Sequence, residues 1–337
     1  MKPSPRIILG AVASAAVLLT FLFTTNFFSK NDSSYLLLTS EENRFNLKFF
    51  IQENDRDTIN TLLAKLNIPQ DVQDGVRFQL DSTSSARLAF ITPIKANLKL
   101  TDKTVSLSGE TSIPAISNQL DIVKIKVPKT TNLAIFAPNL GRFVKARLNV
   151  PENISGWFDR NLDSSQGSYL VLYGSNADFS LIFKNSQISF EEPKNIKNSS
   201  GEPIYKEETG SDANFHLLQI PSIDPQNQSP QTLTFFTLGD YLVMSSSPDA
   251  AKVFIGSQKE SDSIEFPKSQ NTPKASMVME YLNTDDNPAP ELLAEFLLQN
   301  WQGTSRPKSK LAGSLKNIQD ATFTLKAQAF SGLINLK

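Results

Sequence analysis

Apolar residues run without a single charge from Ile7 to Phe28 (IILGAVASAAVLLTFLFTTNFF), and beyond that point they recur at spacings of two or of three and four. A helix over the first segment would be about 33 Å long, against a hydrocarbon core of about 30 Å. It would also pair its own backbone groups, as a bilayer interior demands. The pattern predicts a membrane helix at 7–28 behind a short tail at 1–6. A cleaved secretory signal is the competing reading, but its apolar core is shorter and closes on a small-residue A-x-A site. Here Ala11, Ala13, Ala15 and Ala16 lie mid-run and Phe21, Phe23, Phe27 and Phe28 occupy its end, which favours an uncleaved anchor. Lys2 and Arg6 precede the run, whereas Lys30 and Asp32 follow it. Basic excess marks the cytoplasmic side, so the chain is expected in the plasma membrane with its N-terminus inside and its C-terminal domain extracytoplasmic. Gly10 and Ser14 stand four apart, as do Ala11 and Ala15, a spacing that lets membrane helices approach closely.

Residues 29–41 read as a polar linker interrupted by Tyr35–Leu38. After it Phe45, Leu47, Phe49 and Ile51 follow a strand period, and Ile59, Leu62, Leu63 and Leu66 follow a helix period over 55–66. Strands are expected near 76–80, 87–92, 98–100 and 105–107. The order returns with a strand at 132–137, a helix at 139–148 and strands at 167–173 and 178–184 around Gly174-Ser175-Asn176. A third pass places a strand at 276–282, a helix at 290–300 and strands at 320–327 and 329–336. The expected fold class is α+β: an N-terminal transmembrane helix, then an ectodomain of repeated β-α-β-β units with largely antiparallel sheets. Polar stretches at 192–212 and 221–230 are loops or boundaries, and the ectodomain divides on this reading into halves at 42–190 and 191–337.

Thr232–Gly256 (TLTFFTLGDYLVMSSSPDAAKVFIG) makes a strand, a tight Gly239-Asp240 turn, a second strand ending in serines, and a helix opening at Pro248-Asp249. The phrase resembles a strand–helix step in uncharacterised bacterial families of membrane-anchored extracytoplasmic proteins, and the 132–184 unit is similar to their β-α-β-β module. The resemblance implies location and fold class, and carries no functional residues across.

Composition narrows the chemistry. Thirty-three basic against 34 acidic residues give a net charge of −1, without the basic excess that nucleic acid requires. The absence of cysteine excludes disulfides, thiol catalysis and cysteine zinc sites, and fits a prokaryotic envelope. Phosphate-cradling glycine loops are missing, so no nucleotide or other cofactor is expected. The hydrophobic share of 39% over roughly 300 residues supports a large core in one or two domains. The N-x-[ST] sequons at Asn31, Asn153, Asn198 and Asn227 are what chance produces in so Asn- and Ser-rich a chain.

The sole histidine, His216, sits in the strand-like run 214–220, where a structural role is expected. Ser305-Arg306-Pro307-Lys308 matches S-x-x-K, but in a proline-containing loop rather than at a buried helix start, and no K-T-G follows. Arg306, Lys308 and Lys310 are better read as a basic patch for lipid headgroups or an anionic polymer. Acids cluster at Asp55/Asp57, Glu207/Glu208/Asp212 and Asp285/Asp286, without a calcium-loop pattern. Asp55 and Asp285/Asp286 precede expected helices, where capping and the helix dipole favour acids. No catalytic, cofactor or metal residues are assigned. The expectation is a non-enzymatic ectodomain that binds or scaffolds an envelope protein or polymer. The alternatives are an envelope hydrolase built on carboxylates, or an accessory subunit acting through the Gly10/Ser14 face.

Overall fold

The computed structural model describes strands at 35–41, 44–50, 76–79 and 94–100, then most of residues 103–283 and 316–337. The expected membrane segment 7–28 and the expected helices at 55–66 and 290–300 lie outside these residues. Among the described residues no helix is long and apolar enough to cross a membrane. The described fold is α+β and rich in sheet, with mostly antiparallel pairing and few helices.

The chain forms two compact units, one from Met1–Ile122 with Thr272–Lys337 and the other from Val123–Asn271. In the first, β1 (Tyr35–Glu41), β2 (Arg44–Phe50), β3 (Val76–Gln79), β4 (Ile94–Leu100) and β5 (Thr104–Thr111) join β17 (Met277–Leu282), β18 (Ile318–Lys326) and β19 (Ala329–Leu336). Their order is β17-β18-β19-β5-β4-β1-β2-β3. β1 corrects the expected linker: the segment that carries Tyr35-Leu36-Leu37-Leu38 is a strand and pairs with both β2 and β4. Short β6 (Leu120–Asp121) pairs with β16 (Lys274–Ala275) where the chain leaves and re-enters this unit.

The second unit holds a sheet in the order β11-β12-β13-β14-β10-β9-β8. Its strands are β8 (Thr131–Ala137), β9 (Ser168–Tyr173), β10 (Asp178–Phe183), β11 (Tyr205–Thr209), β12 (Asn214–Ile220), β13 (Gln231–Leu238) and β14 (Tyr241–Ser245). A two-stranded ladder of β7 (Ile125–Pro128) and β15 (Ser263–Phe266) completes it. Because β10 pairs with β14, strands on both sides of position 190 share one sheet, and the division expected there falls inside this unit. Pairing between distant strands, not local composition, sets the unit boundary.

Every residue of β8 and β9 is buried, so both faces of the sheet are covered. On one face the row His216, Phe235, Met244, Leu181, Leu170 and Ile135 runs across six strands. Trp157 of the Glu152–Leu162 helix packs edge-on against Phe235 at 5.7 Å. That helix was not expected; a single helix was expected at 139–148. The chain instead forms helices at Leu140–Lys145 and Glu152–Leu162, the second after Pro151. Their contact is so close that Gly141 abuts the backbone of Leu162.

The opposite face carries Tyr173 and Phe236, which meet Phe254 of the Pro248–Gly256 helix, and Tyr169, which meets Phe266. The helix begins as its residues dictate. Ser247 is the N-cap and accepts from the Ala250 N–H at 3.0 Å, and Pro248 follows in the first turn. The β13–β14 turn uses Gly239 at φ 57°, a left-handed value that favours glycine.

Candidate functional site

A grouping of interacting titratable side chains lies where β11 and β12 meet the short Glu191–Lys194 helix. Alternation along β11 puts Tyr205 and Glu207 on the Trp157 side, and the antiparallel register sets Glu207 opposite His216. The chain returns from the helix to β11 through a turn held by Asn198. Its Oδ1 accepts from the backbone N–H groups of Ser200 at 3.0 Å and Glu202 at 2.9 Å, and Gly201 takes φ 82°.

Phe190 lies flat on the His216 ring, with centroids 4.3 Å apart and planes 9° from parallel. It also touches Tyr205, Trp157 and Phe235, so the imidazole is stacked on the edge of the apolar core. The Tyr205 hydroxyl lies 2.6 Å from Glu207 Oε1 and 2.6 Å from His216 Nδ1. Lys194 Nζ reaches Glu207 Oε1 at 3.2 Å and Glu191 Oε1 at 3.1 Å.

These contacts fix the protons. The hydrogen bonds from Tyr205 and Lys194 hold Glu207 below the usual carboxylate range, so it is ionised and only accepts. Burial, then the Glu207 bond and charge, push the Tyr205 hydroxyl well above its ordinary value, so it keeps its proton and donates it to Glu207. The remaining contact must then be donated by His216 Nδ1–H to the Tyr205 oxygen. The neutral ring is therefore the Nδ1–H tautomer, with its lone pair on Nε2. Burial, the largest cause, lowers the His216 pKa; Lys194 lowers it further and Glu207 opposes both. Protonation would add its proton at Nε2 and leave the Tyr205–Glu207 chain intact. Chemically this gives a fixed, half-buried imidazole whose Nε2 can accept a proton or a hydrogen bond, flanked by a locked ammonium–carboxylate pair.

A second polar network lies beneath the Pro248–Gly256 helix. The Tyr173 hydroxyl donates to the Ala250 carbonyl at 2.9 Å, the Ser180 and Tyr173 hydroxyls meet at 2.8 Å, and Ser180 and Ser245 meet at 2.8 Å. Burial raises the Tyr173 pKa, which keeps the hydroxyl neutral. The network fastens the helix to the sheet.

The expected acid cluster Glu207/Glu208/Asp212 does not converge through its two adjacent members. Strand alternation sends Glu207 toward His216 and Glu208 to the other face, where it pairs with Lys206. Among the described residues no group of three or more His, Cys, Asp or Glu side chains could hold a metal ion. Gly10, Ser14, Asp55, Asp57, Asp285, Asp286, Arg306, Lys308 and Lys310 lie outside the described residues. Sequence reasoning named His216 but missed its partners. The available signal was Tyr205 and Glu207 two apart on a strand, with His216 on the next strand across a short turn. No family model, no curated protein and no solved structure matches the chain.

Proposed function

We propose that this protein is a single-pass, membrane-anchored binding or scaffolding protein of a bacterial cell envelope. Its N-terminus is cytoplasmic and its sheet-rich domain extracytoplasmic, held near the plasma membrane to engage an envelope protein or polymer. The observation that carries the reading is the charge-free run Ile7–Phe28, preceded by Lys2 and Arg6 and followed by a chain without cysteine. We read 7–28 as the transmembrane helix and the remainder as β-α-β-β units, of which β8–β10 and β17–β19 are two.

Single cysteines at Ser4 and at Ser200 test the topology in a chain with no native thiol. Ser200 is exposed, and its backbone N–H rather than its hydroxyl meets Asn198. In intact cells a membrane-impermeant maleimide is expected to label S200C and spare S4C. Labelling of S4C alone would overturn the proposal.

A further inference from the structure

Strand pairing in the two units follows one plan with its parts interchanged. A single constant shift along the chain carries Ile94 to Gln231 and Thr104 to Tyr241, the starts of β4, β13, β5 and β14. The same shift turns the β4–β5 pair Leu98↔Leu107 into Phe235↔Met244, which is a pair of the β13–β14 hairpin. The three-stranded sets also correspond. β8-β9-β10 and β17-β18-β19 each pair in chain order, with a long excursion between the first two strands and a short turn between the last two. A second shift carries Asp178 to Ala329, and so Phe179-Ser180 of β10 to Phe330-Ser331 of β19, where the residues are identical.

The decisive register joins hairpin to set. β10 pairs with β14 through Ser180↔Ser245 and Leu181↔Met244. The two shifts convert these into Ser331↔Ser108 and Gly332↔Leu107, both of which are pairs of β19 with β5. Since one slip of register turns every side chain to the other face, independent strands have no reason to keep this match. Yet each joint links opposite repeats: the hairpin of residues 94–111 meets the set ending at 336, and the hairpin of residues 231–245 meets the set ending at 183. Between hairpin and set each repeat sends out short strands, β6 and β7 in one, β15 and β16 in the other. β6 pairs with β16 and β7 with β15, so the outgoing and returning passages run side by side.

We propose that residues 94–183 and 231–336 are two copies of one module that have exchanged their three-stranded halves, with β19 as the clasp that closes the first unit on β5. The exchange rests on strand pairing and is independent of the membrane reading. Each unit is complete only when both repeats have been made, because β5 stays an open edge until β19 arrives.

The cysteine-free full-length chain allows a direct test by disulfide trapping, read by peptide mass spectrometry and non-reducing gels. Exposed Ser108 and Ser331 face each other across the joint, so the S108C/S331C variant is expected to cross-link within one chain. S108C/S180C and S245C/S331C are the pairs that two self-closed repeats would form, and neither is expected to link. A link in either of those variants would overturn the exchange. So would an S108C/S331C link that joins two chains, or its absence in a chain whose circular dichroism matches the parent.

Discussion

Replacing Gly141 by alanine tests the helix contact that seats Trp157 against the sheet. Gly141 has no left-handed φ to protect, so in an isolated helix alanine would be favoured by about 1 kcal/mol. In the folded protein the added Cβ would lie 1.6 Å from the Leu162 carbonyl oxygen, 2.4 Å from its carbonyl carbon and 3.0 Å from its Cβ. Carbon–oxygen contacts sit at about 3.3 Å or more, so one helix must retreat by roughly 1.7 Å. The obstacle is backbone and cannot turn aside as a side chain would. Leu162 belongs to the helix that also buries Ile154, Trp157 and Phe158, so retreat unpacks that row. Overpacking of a dense core costs about 1–3 kcal/mol, and a backbone obstacle belongs at the upper end; less the propensity gain, the net loss is about 2 kcal/mol. Gly156, in the neighbouring helix, is the control. A Cβ there meets only Arg160 Nη1 at 3.2 Å, the end of a flexible side chain. G156A should therefore be neutral or stabilising by up to about 1 kcal/mol. Urea unfolding followed by tryptophan fluorescence measures both, and the G141A midpoint should fall by roughly 1 M. A G141A protein as stable as the parent would refute the helix contact, whatever G156A does.

The single histidine makes the proton network directly observable. Its NMR titration should give a His216 pKa below the ordinary 6.5, falling further in E207Q and rising in K194M. A folded value below the unfolded one means that the stabilisation from this group is whole above about pH 6.5 and is lost as pH falls through the folded value. An upward shift in the parent would sink the assigned burial. S247A removes the N-cap of the Pro248–Gly256 helix and should cost about 1 kcal/mol in urea unfolding, with S247D retaining most of the stability. Y173F removes the hydroxyl that ties Ser180 to the Ala250 carbonyl inside the core and should cost about 1 kcal/mol; an unchanged midpoint would argue against the hydroxyl network.

Local signals carried as far as local chemistry reaches. The Gly239-Asp240 turn and the Ser247-Pro248 helix start were legible because each is decided by neighbours in sequence, and the run 329–336 became β19 with its expected bounds. The Glu152–Leu162 helix was missed although Pro151 precedes it and Ile154, Trp157, Phe158 and Leu162 keep helical spacing. Ser180 and Ser245 show a different limit. Nothing in a strand period marks them as interior, yet both are fully buried, because the Pro248–Gly256 helix covers their face of the sheet. Their hydroxyls are satisfied by each other and by Tyr173, partners that no local window contains.

The same limit governs the candidate site and the division of the chain. His216 stands alone in composition; only the β11–β12 register gives it Tyr205 and Glu207, and only the Asn198 turn brings Lys194 alongside. The polar stretch 192–212 reads as a boundary because turns and caps need Asn, Ser and Gly wherever they occur, inside a unit as well as between units. What decides the boundary is which edge β10 and β19 find, and each takes the hairpin of the other repeat. The two repeats present edges in corresponding register, so sequence pattern alone does not choose between exchanged and self-closed pairing. The antiparallel passages β6–β16 and β7–β15 add pairing that depends on both crossings of the chain.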